Sequence, residues 1–556
     1  MTVGHPLYAG FPVYPFQPPP DLAARQPVAP VAIVGGGPVG LTLACGLARH
    51  GVPSIVLEAR HSVSVGSRAI CISRRSLEIW ARFGLAERPL AKGLPWIGGR
   101  SFWRRHEVLH FEMPHEATAQ HPPMINLQQC HAEQYLVDAA LASGLVDLRW
   151  HARVTGVSQH ADKVTLTVDT PGGSHLLDAA YVVATDGARS TVRDAVGLEL
   201  EGNSYEGRYL IADIVLDEDW PVERLAWFDP PSNPGSTLLA HRQPDNVLRV
   251  DYQLGPDEDP ELEQEESRVR ARIDAHLAML GRAPAYELVW ISLYRAHCLT
   301  LPRYREGRVL FAGDAAHLVP IFGVRGLNSG IDDAANLAWK LAAVIRRQGA
   351  EALLDSYSEE RVYAARENIR LARKSTLFMS PPTAGHALMR DAALSLAVSR
   401  ASARTLVNPR QSTAITFPAS SLQTADCDAW PPAPVPGATL PNPRIALRTV
   451  DGGLRDAHLL DLQGLRPVLL LRHDNPLAGS AEERDLQLIR VAAARHGARA
   501  GEVAIDLYGE VAAALALDTP EVAWLVRPDG HIAARWRHFT LAQLDAALAR
   551  MLGHGA

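Results

Sequence analysis

Gly35, Gly37 and Gly40 stand where a short apolar run, residues 31–34, gives way to a helical pattern over 41–50 that Gly51 can stop. A G-x-G-x-x-G turn of this kind suits a pyrophosphate. The first glycine permits the tight turn, the second lets a phosphate approach the backbone, and the third lets helix and strand pack closely. The helix N-terminus adds free N–H groups and a partial positive charge. A second apolar run, 54–57, ends on Glu58, about twenty residues past the glycines, where an acid can accept hydrogen bonds from a ribose diol. Glycine-rich turns are common. The signal is the whole strand–helix–strand unit with its terminal acid, and that unit predicts a dinucleotide site.

Other polar residues recur beside apolar runs. Arg68 can offer a forked donor to a pyrophosphate, or it can be a solvated loop arginine. Gln129 opens a helical pattern and can bond a polyol, or simply start the helix. Asp186-Gly187 follows the strand-like run 181–184, at the end where open α/β sheets bind ligands, although Asp-Gly is also a favoured turn pair. Gly313-Asp314-Ala315-Ala316-His317 follows another buried run, 309–312, and places Asp314 where it can bond a flexible polyol. A helix is predicted over 328–346. The N–H groups of Leu327 and Asn328 at its start form an anion site suited to negative charge on a ring.

Positioning these residues takes more than one core. A chain of 556 residues predicts two or three domains. The pattern is α/β: a Rossmann-like unit split over residues 30–200 and 295–375, interrupted by a strand-rich insertion at 201–294. Within the insertion, 209–216, 236–241 and 247–253 read as strands, with a hairpin turn at Pro244-Asp245-Asn246. Val247, Arg249, Asp251 and Gln253 share one face of the last strand, and Leu248, Val250 and Tyr252 the other. One face is expected to pack and the other to meet water or a cleft. A helical segment at 376–416 and a Pro/Ser/Ala-rich linker at 417–443 follow. Residues 444–556 form a compact α/β unit, with strands expected at 468–472, 503–507, 522–526 and 532–536. Helices are expected at 481–496 and 541–552, and a turn at Pro528-Asp529-Gly530. Residues 1–29 are expected to form an arm over the surface, disordered in part.

Hydrophobic content of 47%, charged content of 21% and a net charge of -6 fit a soluble globular protein with no nucleic-acid partner. No apolar run is long enough to span a bilayer, and the N-terminus lacks the pattern of a signal peptide. Cys45, Cys71, Cys130, Cys298 and Cys427 are scattered without C-x-x-C or metal-ligand spacing, which predicts a reduced cytoplasmic compartment and no metal site.

Taken together, Gly35-x-Gly37-x-x-Gly40…Glu58, Asp186-Gly187 and Gly313-Asp314-Ala315-Ala316-His317 resemble the FAD-dependent aromatic hydroxylases, the single-component monooxygenases of the para-hydroxybenzoate and phenol hydroxylase kind. Ser67-Arg68-Ala69, Gln128-Gln129…Glu133 and the 354–361 stretch look most like the 3-(3-hydroxyphenyl)propionate hydroxylase subgroup. The resemblance covers about residues 31–373. It implies an FAD-binding domain with an inserted β-sheet substrate domain and, in members with a tail, a thioredoxin-like C-terminal domain. Here that domain lacks C-x-x-C, since no cysteine follows Cys427. It implies that Glu58 binds the adenosine ribose, Arg68 the pyrophosphate and Asp314 the ribityl chain, with Gln129 near the ribityl or isoalloxazine. Asp186 would belong to a motif serving FAD and NAD(P)H, Pro320 would line the substrate, and Gly326, Leu327 and Asn328 would cradle the flavin pyrimidine edge. Gly323-Val324-Arg325-Gly326 departs from the usual sequence before this helix by adding the charge of Arg325.

The resemblance further implies NADH or NADPH as co-substrate, bound transiently because no second G-x-G-x-x-G exists, and hydroxylation of a small phenol by O2 through a flavin C4a-hydroperoxide, in aromatic compound catabolism. A phenolate needs a base or relay. His241, Arg249 and Asp251 are candidates by position on the inserted sheet, against structural or surface roles for each. Oxidation or epoxidation of a non-phenolic substrate, and a non-enzymatic flavin sensor, stand as alternatives. The absence of Trp-x-Trp-x-Ile-Pro argues against halogenation. A homodimer is left open.

Overall fold

The computed structural model describes residues 5–320, 322–407, 412–449, 451–493 and 504–555. The glycine-rich turn rises from a largely parallel sheet. Its strands lie in the order Arg305–Glu306, Val309–Phe311, Gly173–Ala184, Ala29–Val34, Ser54–Leu57, Val146–Arg149. Val31, Ala32 and Ile33 are wholly buried. A parallel strand covered on both faces reads as a continuous apolar run, which is why 31–34 is legible. Val34 lies opposite Ala184, and Ala184 opposite Phe311. The residues just beyond these strand ends, Gly35, Asp186 and Asp314, are therefore brought to one edge of the sheet from three remote stretches.

Helix Pro38–Arg49 begins three residues before the apolar pattern does, because a proline in the first turn lacks only an N–H that would go unsatisfied. It packs on helix Gly326–Ile345, and Gly46 allows the approach, since a Cβ there would lie 2.9 Å from that of Ala338.

The second large sheet is antiparallel but for one pair. Its order is His317–Leu318, Tyr286–Thr300, Glu201–Leu216, Val247–Gln253, Thr237–Arg242, Arg224–Phe228, Gly98–Trp103, His106–Glu112. It therefore recruits strands from outside 201–294. One face, including Leu210, Leu238, Leu248, Val250 and Tyr252, packs against Val269, Ile273 and Leu277 of helix Glu266–Met279. The alternation in 247–253 is present, but the opposite face is covered as well: Arg249 and Asp251 are buried rather than open to water. Asp245 and Asn246 both have positive φ, at 63° and 54°, as a two-residue I′ hairpin turn requires.

The N-terminal arm is tied into the molecule more firmly than its sequence suggests. Tyr8 is buried in the main core, Tyr14 stacks on Trp150 at 4.6 Å, and Asp21 bonds Arg149 at 2.5 Å. Aromatic side chains that a Pro-rich segment would otherwise expose to water are what hold it down.

The C-terminal sheet runs Leu454–His458, Arg444–Arg448, Ala504–Asp506, Gln487–Ala493, Val468–Arg472, Ala523–Val526, Ile532–Trp536, and helix Leu541–Met551 follows it in the chain. The helix expected over 481–496 is overturned. A single turn, Ala478–Ala481, is followed by strand Gln487–Ala493, and 494–496 lie outside the described residues. Parallel pairing with Val468–Arg472 on one side and Ala504–Asp506 on the other outweighs the helix propensity of this alanine-rich stretch. Segment 417–443 contains no helix or strand, yet Phe417, Leu422 and Leu440 are buried, so it is a packed connection.

Candidate functional site

The three strand ends open onto a cleft of about 490 Å³ lined by Gly35, Gly37, Glu58, Arg68, Gln129, Asp186, Asp314, Gly326 and Leu327. Gly35 has φ +108°, and a Cβ there would lie 2.5 Å from the Thr185 carbonyl. A Cβ on Gly40 would reach 2.1 Å from the Gly35 carbonyl, whereas one on Gly37 would meet nothing within 4 Å. The first and third glycines are thus demanded by the fold, and the second leaves the backbone bare toward the cleft.

Glu58 accepts hydrogen bonds from the Gly36 N–H at 2.8 Å, from the Arg60 N–H at 2.8 Å and from Arg60 Nε at 3.0 Å. Burial opposes its charge, but Arg60 and the backbone donors outweigh burial and hold its carboxyl below the usual range. Gln129 Oε1 accepts from the Ala69 N–H at 3.2 Å, and its Nε2 donates to Glu133 at 2.7 Å, which fixes the amide at the cleft wall. Arg68 sits at φ +46°, and its carbonyl accepts a bond from Arg249.

Asp186 Oδ2 accepts from the Val192 N–H at 3.2 Å, while its Oδ1 is buried without a donor. Burial lifts its carboxyl above the usual range against the hydrogen bonds of Ser190 and Val192. Asp314 faces the open space of the cleft. The protein packed around its other sides raises its pKa, and His317 and Arg68 pull it down. Behind this loop Asp333, wholly buried, accepts from the Gly313 N–H at 2.9 Å, bonds His317 Nε2 at 2.8 Å and receives Arg361 Nε at 2.6 Å. Burial works against the Asp333 charge, but Arg361 and His317 bring its pKa down to about 2.

Helix Gly326–Ile345 presents Gly326 and Leu327 to the cleft. The Asn328 side chain is committed elsewhere: Oδ1 accepts from the Ser73 N–H at 2.9 Å and Ser76 Oγ at 2.7 Å, and Nδ2 donates to the Cys71 carbonyl at 3.0 Å. The loop before it holds Val324 at φ +54°, a strained conformation for a β-branched residue. Arg325 is buried and donates to Asn368 at 2.9 Å, and burial lowers its pKa to about 10.

Across the inner face of the large sheet, Arg224, His241, Arg249 and Asp213 lie opposite one another in a single row. Arg249 is paired with Asp251 at 2.7 Å. Burial, then Arg224 and Arg249, push the His241 pKa well down, so the imidazole is neutral. Asp213 receives Tyr8 Oη at 2.8 Å and Ser67 Oγ at 3.0 Å. A cavity of about 230 Å³ borders this face, walled by Phe111, Phe228, Phe322, Phe378 and Met379, with Arg224 and Gly323 among its lining. His241, Arg249, Asp251 and Pro320 do not line it. The first three are gathered beside it on the sheet, and Pro320 is buried in the loop after His317–Leu318.

Sequence reasoning missed Arg60, Arg224, Asp213 and Asp333. Arg60 bonds Glu58 only two positions away, and that spacing was its one trace; Asp213 and Asp333 meet partners from other stretches of the chain and Arg224 meets none among the described residues, so local spacing carries no trace of their roles. Asp333 and Arg361 do follow the Gly313 motif on consecutive helices, and that order was the available signal.

Residues 28–372 match the FAD binding domain family. The 3-(3-hydroxy-phenyl)propionate/3-hydroxycinnamic acid hydroxylase of Mycolicibacterium smegmatis is 32% identical over 366 residues, 65% of this chain and 63% of the relative. The 6-methylpretetramide 4-monooxygenase of Streptomyces rimosus is 31% identical over 377 residues, again 65% of this chain and 63% of the relative. The match thus spans less than two thirds of these relatives' length. Among solved structures, a flavin-dependent monooxygenase in complex with FAD and substrate shares the fold at TM-score 0.79 and 24% identity, over 95% of this chain and 100% of that one. The anhydrotetracycline hydroxylase of Streptomyces rimosus aligns at TM-score 0.67 and 27% identity, over 95% and 99%. The cleft suits FAD by its own chemistry, with bare backbone at Gly37 and Gly187 and an undonated carboxylate oxygen on Asp186.

Proposed function

The chain belongs to the FAD binding domain family, and on that premise we propose a single-component flavoprotein monooxygenase that hydroxylates a phenolic ring with NAD(P)H and O2. One observation carries the reading. The cleft ends at Gly326 and Leu327, the apolar cavity begins at Phe322 and Gly323, and a single short loop joins them. A ring system lying along the cleft would present its reactive end to a ring held in the cavity.

Bound FAD supplies the centre that takes hydride from NAD(P)H and activates O2. The protein supplies position and electrostatics. Gly35, Gly37 and Gly40 with the start of helix Pro38–Arg49 receive the pyrophosphate together with Arg68. Glu58 takes the ribose, Asp186 and Asp314 bind hydroxyls, and Gln129 stands beside the ribityl chain. The N-terminus of helix Gly326–Ile345, through Leu327 and the Asn328 backbone, stabilises negative charge on the pyrimidine edge. The phenylalanines of the cavity orient the substrate and exclude water. Arg249 holds the Arg68 carbonyl, which makes the Arg249–Asp251 pair a positioning device between sheet and cleft. Neutral His241 is suited to receive or pass on a hydrogen bond in a phenol relay, and Pro320 stiffens the loop at the junction. An open cleft of about 1150 Å³ that reaches Arg325 and Asn328 offers a route for transient NAD(P)H.

The C-terminal unit reads as thioredoxin-like in outline. Strands Gln487–Ala493 and Val468–Arg472 are parallel, Ala523–Val526 and Ile532–Trp536 follow antiparallel, and a helix closes. With no cysteine after Cys427 it cannot run thiol exchange. Cys45, Cys71 and Cys130 are buried and their thiols pushed up to about 12, so they are inert, as a reducing cytoplasm would leave them.

The test is turnover with labelled O2. The purified protein should be yellow, oxidise NADH or NADPH slowly alone and faster with its phenol, and place one labelled oxygen in the product. Oxidation that yields only hydrogen peroxide across a broad phenol panel would overturn the hydroxylase reading.

A further inference from the structure

The hydroxyl of Tyr8 reaches from the N-terminal arm to the underside of the loop that carries Arg68. Tyr8 is 3% exposed and donates to Asp213 Oδ2 at 2.8 Å. Asp213 is wholly buried on strand Glu201–Leu216 and turns both oxygens to the residue before Arg68: Oδ1 accepts from Ser67 Oγ at 3.0 Å, and Oδ2 accepts from the Ser67 N–H at 3.3 Å. One carboxylate thus joins three stretches that lie far apart in the chain. The next two residues of the loop are gripped as well. Arg249 donates to the Arg68 carbonyl, and the Ala69 N–H donates to Gln129 Oε1 at 3.2 Å. Arg68 itself sits at φ +46°, a conformation that persists in a non-glycine residue only where its surroundings impose it. The arm is anchored in turn. His5 Nε2 lies 3.1 Å from Glu287, and the Tyr14 N–H donates at 2.8 Å to the carbonyl of His61, upstream in the same loop.

Filling the core does not require this arrangement. The Tyr8 ring would pack without its hydroxyl, and a buried carboxylate costs free energy that only its donors offset. What the acid adds is register: it fixes Ser67, and with it Arg68, against both sheet and arm. Burial, then the charge of Asp213, raise the pKa of the Tyr8 phenol, which therefore stays a donor. Burial lifts Asp213 to about 6, Arg249, Tyr8 and Ser67 pull it down, and Asp251 adds to the rise. Cys130, facing Asp213 from helix Gln129–Ala142, is a neutral thiol, because burial pushes it up to about 12. At neutral pH and above, Asp213 is therefore a charged acceptor for both links.

We propose that Tyr8 is a positioning residue for the cofactor: through Asp213 and Ser67 it holds Arg68 at the pyrophosphate, which makes the N-terminal arm a working part of the FAD site. The proposal rests on the reading above in which Arg68 meets the pyrophosphate.

The test titrates FAD into the flavin-free, full-length protein and follows flavin fluorescence, below the unfolding midpoint of every variant. Tyr8→Phe keeps the ring and loses the hydroxyl. It should weaken FAD binding about 3- to 30-fold at about pH 7.5, the range over which a residue without ligand contact shifts a binding equilibrium. Two further readouts separate positioning from packing. The ratio of wild-type to variant affinity should shrink to less than about twofold at about pH 5, because a protonated Asp213 accepts more weakly than a charged one. Asp186 and Asp314 titrate in both proteins and cancel from that ratio. In an Arg68→Ala background, Tyr8→Phe should cost less than about twofold, since the link then ends on no ligand contact. Wild-type FAD affinity in Tyr8→Phe, an equal loss at both pH values, or full additivity with Arg68→Ala would each overturn the proposal. So would a Tyr8→Phe chain that cannot fold, because the hydroxyl would then serve the core as a whole. Wild-type affinity in Arg68→Ala would withdraw Arg68 from the pyrophosphate, and this proposal with it. A wild-type protein that takes up no FAD would sink the cofactor reading itself.

Discussion

Asp314 and Asp213 are both carboxylates whose pKa the surrounding protein raises, and their positions assign them different work. Asp314 faces the cleft and makes no hydrogen bond to a described residue, so its hydrogen-bonding capacity is available to a ligand. Asp314→Ala should weaken FAD binding by about 1.5–3 kcal/mol, the usual worth of a hydrogen bond to a charged group; flavin fluorescence titration of the apoprotein reads this directly, and unchanged affinity would remove Asp314 from the cofactor site. Asp213 lies inside, under Tyr8 and Ser67, and burial raises its pKa to about 6 against the pull of Arg249, Tyr8 and Ser67, with Asp251 adding to the rise. The folded chain therefore holds this proton more tightly than the unfolded chain does. Its contribution to stability is complete below about pH 4 and declines as pH rises through about 6. Asp213→Asn cannot titrate, so its stability relative to wild type should climb by up to about 3 kcal/mol between pH 4 and 7; thermal unfolding at matched pH checks this, and a flat difference would contradict it. Asp314 was legible in the sequence because it ends an apolar run and follows a glycine. Asp213 was not, since its meaning comes from Tyr8, 205 residues away, and from a row of strands whose order no local pattern states.

Elements were legible where one period dominated. The strand at 31–34, the helix after it and the alternation in 247–253 all follow from side-chain spacing. The Gly98–Trp103 and His106–Glu112 hairpin joins a sheet otherwise built from residues beyond 200, which only tertiary pairing decides. The alanine-rich stretch after 481 likewise becomes a strand, Gln487–Ala493, only through its pairing with Val468–Arg472 and Ala504–Asp506. The glycine turn allows a sharp test of which link each residue serves. Gly40 has no room for a methyl group, because the Gly35 carbonyl would be 2.1 Å away, while Gly37 has open space and φ -79°. Gly40→Ala should destabilise the apoprotein by about 1–3 kcal/mol through overpacking and lose FAD as a consequence. Gly37→Ala should leave apoprotein stability within about 0.5 kcal/mol and weaken FAD binding on its own, because its methyl group occupies the approach of the pyrophosphate. Comparing unfolding midpoints with FAD affinities separates the two, and a Gly37→Ala protein of wild-type affinity would place the phosphates elsewhere.

At the scale of the whole molecule, the C-terminal unit is joined to the cofactor-binding half through buried charge. Glu360 lies between Lys340, at 2.8 Å, and Arg527 Nη2, at 2.9 Å, and Arg527 is also paired with Asp529. Burial opposes the Glu360 charge, and Arg527 and Lys340 hold its carboxyl well down all the same. Asp529 Oδ2 accepts from Trp339 Nε1 at 3.1 Å and from Asn336 at 3.2 Å, both on the helix whose first turn meets the flavin edge in the proposed mode of binding. Arg75 reaches the Asp529 carbonyl at 2.9 Å and Asp332 at 3.1 Å. Trp339, Ala343 and Leu353 of the cofactor-binding half share one apolar core with Leu469, Leu525 and Leu544. The sequence announces a separable tail after a linker, because composition changes at 417–443; it gives no sign that Arg527 and Glu360 meet, 167 positions apart. Removing one partner of a buried pair leaves a charge with no compensation, which costs about 3–5 kcal/mol. Arg527→Met should therefore lower stability by that amount and loosen FAD, although position 527 lies outside the residues that line the cleft. Ending the chain at Pro443 should do more, since it strips Arg527 and Asp529 together and bares the apolar face around Trp339. The shortened protein should be aggregated or free of flavin, as read by size-exclusion chromatography and flavin absorbance. A soluble, monodisperse truncation with wild-type FAD affinity and unfolding midpoint would show instead that the two parts are stable independently and that the buried charges at their junction contribute nothing to the first turn of the Gly326–Ile345 helix.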